Sequence, residues 1–307
     1  MQTRDLIDVI IIGGGPAGMG AALNLLRAGR KVRIIEKNAV GGQMATSPRV
    51  ENIPGTISIS GLEFADQMFE QITNLGAEFE LEDVQGIERE NNYFVVTTDY
   101  ARHLAKAVVI ANGVTHRTMN LPKEEDFVGK GISFCAVCDG AFYKGKEVNL
   151  IGDANTAVQY ALLLSSYCKK VNMFLLFDKF FADKILVDRL KATENISYTF
   201  NMSLQEYLGE DRLTGLRFKN TKTEEMVTIN TDNVFVAIGQ IPHNEAFSNL
   251  VDLEKGFIVT NEKMETRTPG IFAIGDTRKK DVRQIITALG DASTCSVFLD
   301  KYLTLNY

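Results

Sequence analysis

The sequence predicts an α/β chain of two Rossmann-like, three-layer domains, the second inserted in the first. Three observations predict it. A β-branched apolar run, Ile7–Ile12, leads into Gly13-Gly14-Gly15-Pro16-Ala17-Gly18 and then a small, apolar helical stretch ending at Gly29. The pattern returns as a strand over 148–152, a turn through Ala157 and an apolar helix over 158–167. The two copies register without gaps at an offset of 139 residues, Gly13 falling on Gly152, Gly18 on Ala157, Lys31 on Lys170 and Glu36 on Leu175.

Each element follows from its pattern. Short apolar runs between turn signals read as buried parallel strands, here 7–12, 31–36, 148–152 and 169–176. Tyr93–Thr98, Ala107–Ile110 and 234–238 before Gly239 read as further strands. A late strand runs from Pro269-Gly270 into Gly275-Asp276. No low-complexity or linker-like segment interrupts the chain, so the second unit is expected as an insertion. The boundaries are 1–117 with 246–307 for the first domain and 118–245 for the second, with crossings near His116–Lys123 and Pro242–Phe247.

Composition narrows the function classes. The chain has 307 residues, enough for two domains at ~100–200 residues each, with 45% hydrophobic and 23% charged residues. Its net charge of −6 argues against nucleic acid or an anionic membrane as partner. No apolar run approaches the ~20 residues of a membrane span, and the start reads as no signal peptide because Asp5 and Asp8 interrupt it. Four cysteines are too few for a secreted disulfide scaffold and fit a reducing, cytoplasmic setting.

Gly13-x-Gly15-x-x-Gly18, placed between strand and helix and followed by an acid 23 positions on, points to a dinucleotide. Gly13 permits the tight turn, Gly15 lets backbone approach a pyrophosphate, and Gly18 lets helix and strand pack closely. The helix start offers free N–H groups to phosphate, and Glu36 can accept from a ribose diol. Cys135-Ala136-Val137-Cys138 is spaced so that two sulfurs can meet as a disulfide. A zinc half-site would need a second ligand pair, which Cys168, Cys295 and the three histidines do not form, so no metal site is read. Inert core cysteines are the other reading. Asp139 is a candidate proton donor or acceptor for the thiols, or a cap for the following turn. Cys168 and Cys295 read as structural, and the histidines stand alone.

Taken together, the strand-GGGPAG-helix, Gly41-Gly42-Gln43, ENIPG, CAVCDG, the second glycine turn and GDTRKKDVRQIITALG resemble low-molecular-weight thioredoxin reductases from Asp8 to about Tyr302. The resemblance implies a dimeric enzyme with an FAD domain and an inserted domain of the same type. It would place FAD at Gly13, Gly15, Pro16, Ala17, Gly18, Glu36, Gly41, Gly42, Gln43, Asn52, Gly275, Asp276, Arg283 and Gln284. Cys138 would exchange electrons with flavin, Cys135 would attack the disulfide of thioredoxin, and Asp139 would manage the proton.

The second domain departs from that pattern. Where the family carries G-x-G-x-x-A and a strand ending in H-R-R for NADPH, this chain has Gly152-Asp153-Ala154 and Leu175-Leu176-Phe177, with Phe181 at a later arginine position. Lys179 or Arg189 would compensate only in part. The sequence resembles the ferredoxin-dependent flavin enzymes and their deep-branching relatives, and the expected donor is ferredoxin rather than NADPH. Two features are compatible: a basic patch of Arg278, Lys279, Lys280 and Arg283 to steer an acidic ferredoxin, and Tyr302 or Tyr307 covering the flavin face left by nicotinamide. The rival readings are an ordinary NADPH-dependent thioredoxin reductase, a flavin dithiol oxidase using oxygen, and a silent flavoprotein acting as a redox-sensing module.

Overall fold

The computed structural model describes residues 2–47 and 49–307. The chain divides into two compact units, residues 1–115 with 241–307, and residues 116–240.

The first unit opens with β1 (Gln2–Ile12), α1 (Pro16–Arg27) and β2 (Val32–Glu36). The isoleucine-rich end of β1 is a strand because both its faces are buried. Val9 and Ile11 join a core under the helices, while Ile10 and Ile12 join a second core on the opposite face. Proline starts α1, where its missing N–H costs nothing. Helix α2 (Gly61–Thr73) is capped by Ser60, whose Oγ accepts the Glu63 N–H at 3.1 Å. Then follow β3 (Glu78–Leu81), β4 (Val84–Glu90), β5 (Tyr93–Thr98) and β6 (Ala101–Ile110). The sheet order is β3-β2-β1-β6-β5-β4, with β1, β2, β3 and β6 parallel and β4-β5-β6 an antiparallel meander.

The chain leaves through β7 (Val114–His116). The second unit holds α3 (Glu124–Phe127), β8 (Ile132–Ser133), α4 (Ala136–Asp139), β9 (Glu147–Ile151), α5 (Asn155–Ser165) and β10 (Lys170–Phe174). It continues with α6 (Lys184–Lys191), β11 (Ile196–Thr199), β12 (Met202–Gly209), β13 (Leu213–Asn220), β14 (Met226–Asn230) and β15 (Val234–Val236). A parallel sheet, β11-β10-β9-β15-β8, stands beside an antiparallel meander, β12-β13-β14. Both units thus build a parallel sheet, a helical layer and a three-stranded meander. The matching glycines confirm the repeat. A Cβ on Gly13 would lie 2.4 Å from the Ala111 carbonyl oxygen, and one on Gly152 would lie 2.5 Å from that of Ala237.

The chain returns through β16 (Gln240–Pro242), the short pair β17 (Leu253–Glu254) and β18 (Phe257–Ile258), β19 (Ile271–Ala273) and α7 (Ile285–Asn306). Strand β19 lies parallel to β6, with Ala273 opposite Ile110. Helix α7 runs alongside α1 in the same sense: Gly20 meets Leu289 and Ala292, and Arg30 binds Asp300 at 2.7 Å. No described helix is long and apolar enough to cross a membrane.

Tyr302 and Tyr307 both lie in the last turns or at the end of α7. Helix α7 starts beside the Gly275 turn, whose N–H binds Asp291, and finishes beside the β4–β5 turn and β6. The Tyr302 hydroxyl lies where a Cβ on Gly270 would project. The Tyr307 hydroxyl donates to the carbonyl of Asn92, and Lys106 sits 5.5 Å from its ring centre. A 22-residue helix spans about 33 Å at 1.5 Å per residue, so it carries both tyrosines away from the glycine turns of its own unit.

Candidate functional site: a dinucleotide cradle and a redox disulfide

The first unit gathers the glycine turns at the carboxyl ends of its parallel strands, where such sheets bind ligands. Gly41 N–H donates to the Gly14 carbonyl at 2.8 Å, and a Cβ on Gly42 would sit 3.5 Å from Gly15 Cα. Gly275 packs against Ala17 so closely that a Cβ would approach it to 2.8 Å. The Glu36 carboxylate accepts the Gly14 N–H at 2.7 Å and the Asn38 N–H at 2.9 Å, which fixes it beside the turn. Asn52 donates to the Gln284 side chain at 3.0 Å, and Gln43 donates to the Val114 carbonyl. Helix α1, opened by Pro16 and Ala17, has no side-chain cap and no acid in its first turn, and a Cβ on its N-cap Gly15 would meet no atom within 4 Å. Open space above uncapped amides is what a pyrophosphate requires. Gly18 is fixed by sterics: its Cβ would lie 2.0 Å from the Gly13 carbonyl oxygen. Gly18→Ala is expected to lower unfolding free energy by about 1–3 kcal/mol and to reduce the flavin kept through gel filtration. An unchanged denaturation midpoint with full retention would show that the turn tolerates the methyl group.

Asp276 completes the cradle and leaves one feature unexplained by the protein alone. Its Oδ1 is buried and accepts no hydrogen bond; Lys280 Nζ stands 3.5 Å away, close enough for an ion pair but not for a good hydrogen bond. Burial raises the Asp276 pKa, while Lys280 and Arg283 oppose that rise. Asn112 Oδ1, near the Gly13 turn, is likewise buried without a partner. Its sequence context carried no signal. Arg283 lies 4.3 Å over the Phe257 ring, with Nε 3.4 Å from the Asp276 carbonyl.

The basic patch expected for docking is not a free cationic surface. Arg278 makes a two-pronged contact with Asp291, both bonds at 2.9 Å. Lys280, only 9% exposed, binds the same carboxylate at 3.1 Å, and Lys279 pairs with Glu254 at 2.5 Å. Asp291 also accepts the Gly275 N–H at 3.0 Å. Arg278 and Lys280 neutralise one buried acid, Asp291, which holds the Gly275 end of the Gly275-Asp276 turn in place. Asp291 comes from α7 and was not singled out in the sequence, because a lone acid in a helical stretch carries no motif.

In the second unit, Cys135 and Cys138 are joined as a disulfide with their Cα atoms 5.3 Å apart. Cys135 is the N-cap of the single-turn α4, and its Sγ accepts the Cys138 N–H at 3.1 Å. Val137 projects to solvent while Ala136 is fully buried. Asp139 follows directly, and its Oδ2 accepts from Ser133 Oγ at 2.6 Å. Burial pushes the Asp139 carboxyl up, with the Ser133 bond pulling against it. His116 stacks on Phe134 at 4.9 Å, and burial lowers its pKa to about 4, so the ring is neutral. Cys168 and Cys295 are buried free thiols whose ionisation burial disfavours. No described group of residues could hold a metal ion.

The second glycine turn is closed by its own chain. Phe181 N–H donates to the Asp153 carbonyl at 2.8 Å, and Ala154 pairs with Phe181 as an isolated parallel bridge. Asn155, the first residue of α5, exchanges two hydrogen bonds with Asp183 at 3.0 and 2.7 Å. Leu175 is fully buried in the core, whereas Leu176, Phe177 and Phe181 are about half exposed. Lys179 lies 5.0 Å over the Phe181 ring.

A two-domain α/β fold, with a phosphate cradle in one unit and a cysteine pair in the other, defines a flavin-type disulfide oxidoreductase. Residues 7–292 match the pyridine nucleotide-disulphide oxidoreductase family, and the chain belongs to it, among the low-molecular-weight thioredoxin reductases. It is 39% identical to thioredoxin reductase of Bacillus subtilis over 305 residues, 99% of this chain and 96% of that protein. It superposes on the thioredoxin reductase of Streptococcus pyogenes with a TM-score of 0.93 and 38% identity, covering 98% of this chain and 99% of the other. The thioredoxin reductase of Giardia duodenalis gives 0.91 and 30%, over 98% and 100%. The protein is an enzyme, a flavoprotein oxidoreductase.

Proposed function

We propose that the protein is an FAD-dependent reductase of thioredoxin, working through the Cys135–Cys138 disulfide as a cytoplasmic homodimer. Its electrons come from a one-electron iron–sulfur donor of the ferredoxin type and not from NADPH. The reading rests on one observation above all: a bonded cysteine pair with a buried carboxyl, Asp139, directly beside it in the chain.

The residues of the first unit fit FAD. Gly13, Gly15 and Gly18, with Pro16 and Ala17 at the start of α1, would hold the pyrophosphate, and Glu36 would accept from the adenosine ribose. Gly41, Gly42, Gln43 and Asn52 would line the same cradle with Gly275, Arg283 and Gln284. The orphaned Asp276 Oδ1 has the acceptor capacity that a hydroxyl of the bound cofactor would fill. When bound, FAD supplies the electron pair that opens the cysteine disulfide. Of the resulting thiols, Cys135 attacks the disulfide of thioredoxin and Cys138 closes the ring again, while Asp139 takes and returns the proton. Two electrons from two donor molecules balance one thioredoxin disulfide reduced to a dithiol.

The donor assignment is supported by the oily, self-closed segment 175–183 of the second unit. The paired state of Arg278, Lys279 and Lys280 removes the basic patch as an argument for where a donor docks.

FAD-loaded protein, reduced by dithionite with no nucleotide present, is expected to convert oxidised thioredoxin to its dithiol. Reduced ferredoxin is expected to sustain turnover in place of dithionite. A reduced protein that leaves thioredoxin oxidised would overturn the substrate assignment. Rapid peroxide formation from small dithiols would favour an oxidase instead.

A further inference from the structure

We propose that Ser133 is a positioning residue for thiol–disulfide exchange: it holds Asp139 by Oδ2, so that Oδ1 carries the proton. This rests on the disulfide-reductase reading.

Ser133 is the last residue of β8 and is 7% exposed. Its strand is pinned in the sheet, with Ser133 opposite Phe235 of β15. The hydroxyl has one proton to give, and it goes to Asp139 Oδ2 at 2.6 Å. The Ser133 Oγ itself accepts the Cys135 N–H at 3.1 Å. The Asp139 N–H in turn donates to the Cys135 carbonyl at 3.0 Å. One buried hydroxyl therefore ties the carboxyl to the backbone of the first redox cysteine. Asp139 Oδ1 is buried and has no hydrogen-bond partner. A buried acceptor without a partner is costly and calls for a functional explanation. Here the explanation is a proton-accepting oxygen turned away from the anchor.

The step balances as follows. In the dithiol form, one cysteine thiol gives its proton to Asp139 Oδ1, and the thiolate forms a bond to one sulfur of the target disulfide. The target S–S bond breaks, and its leaving thiolate takes the proton back from Asp139. The second cysteine thiolate then attacks the mixed disulfide and re-forms Cys135–Cys138, its proton passing to the second target thiolate. Protein dithiol and target disulfide become protein disulfide and target dithiol, with no net change in protons.

The bond from Ser133 favours the carboxylate, and burial favours the acid. The other titratable groups that feel the Asp139 charge are the phenols of Tyr143, in the turn after α4, and Tyr160 on α5. Both are pushed up by burial and then by Asp139, so both are neutral at pH 7. Loss of the Ser133 bond thus makes Asp139 harder to ionise. The limb of the exchange rate that rises with pH moves to higher pH.

The test uses the FAD-loaded, dithionite-reduced protein with a small aromatic disulfide as oxidant, across a pH series. Ser133→Ala is expected to slow exchange at neutral pH roughly tenfold or more and to move the rising limb upward. In the oxidised protein, the infrared carboxyl band lost in Asp139→Asn is expected to titrate at higher pH in Ser133→Ala. Ser133→Thr, which keeps the hydroxyl, restores both, and retained flavin absorbance certifies the fold of each variant. A slower Ser133→Ala with limb and band unmoved makes Ser133 merely structural and overturns the proposal, as does a threonine variant that folds and restores neither. A band that moves as expected in a protein unable to reduce thioredoxin would count against the substrate and leave the role of Ser133 standing.

Discussion

NADPH added to the oxidised, FAD-loaded protein is expected to leave the visible absorbance of the flavin unchanged over many turnover times. The expectation comes from what stands at the second glycine turn. A nucleotide 2′-phosphate needs guanidinium groups, and a 2′-hydroxyl needs an acid. At the position where Glu36 serves the first unit, the second has Leu175, and that side chain is sunk in the core. Each charge-assisted hydrogen bond contributes roughly 1.5–3 kcal/mol. Two lost bonds cost about 3–6 kcal/mol, or roughly 10²–10⁴ in affinity. The turn is also tied to the segment that carries Phe181, because the Asn155 side chain binds Asp183 and the Asp153 carbonyl accepts the Phe181 N–H. Lys179 does not compensate, since it is spent over the Phe181 ring. Stopped-flow mixing decides the matter: fast bleaching by NADPH, saturating at micromolar concentrations, would sink the donor assignment and return the protein to the nucleotide-dependent reductases.

What the sequence revealed and what it hid have a common physical basis. The two βαβ units were legible because hydrophobic periodicity and glycine placement are local, and a repeat doubles the signal. The cysteine pair was legible because its spacing is the message. Contacts made across long stretches of chain were not. Arg278 and Lys280 read as a docking patch, yet they neutralise Asp291 on the C-terminal helix. His103 read as solitary, yet it is fully buried with Nε2 2.7 Å from Glu82 and Nδ1 3.2 Å from Arg33, partners 21 and 70 residues away. Tyr302 and Tyr307 read only as a cover for the flavin, and no local motif showed that the buried stripe Ala288, Ala292, Cys295, Leu299 and Leu303 packs α7 against α1. Ser133 sits two residues before the first cysteine in plain view, but a serine there has no pattern until its hydroxyl is seen between Cys135 and Asp139.

Cys138→Ser and Cys135→Ser are each expected to reduce thioredoxin turnover to background while leaving the protein folded and yellow. The fold survives because the disulfide closes a very short loop, with a sequence separation of 3. Loop-entropy stabilisation grows with the logarithm of loop length, from roughly 2 kcal/mol for four residues to about 4.7 for a hundred. Flavin retention survives because every cradle residue lies in the other unit, at positions 13–52 and 275–284. Activity is lost because exchange needs both sulfurs: one to form the mixed disulfide and one to resolve it. The two variants should fail differently. Cys138→Ser keeps an attacking thiol and is expected to trap a mixed disulfide with thioredoxin, visible on a non-reducing gel. Cys135→Ser lacks the attacking sulfur and is expected to trap none. Asp139→Asn should fall between these and the parent, slowed by about 10²–10⁴, the usual contribution of a positioned proton-transfer group. Cys168→Ala and Cys295→Ala should keep turnover, since their buried thiols are held protonated away from the exchange. A Cys138→Ser protein that still reduces thioredoxin at the parent rate would mean the cysteine pair is ornamental, and the electrons would have to leave the flavin by another route.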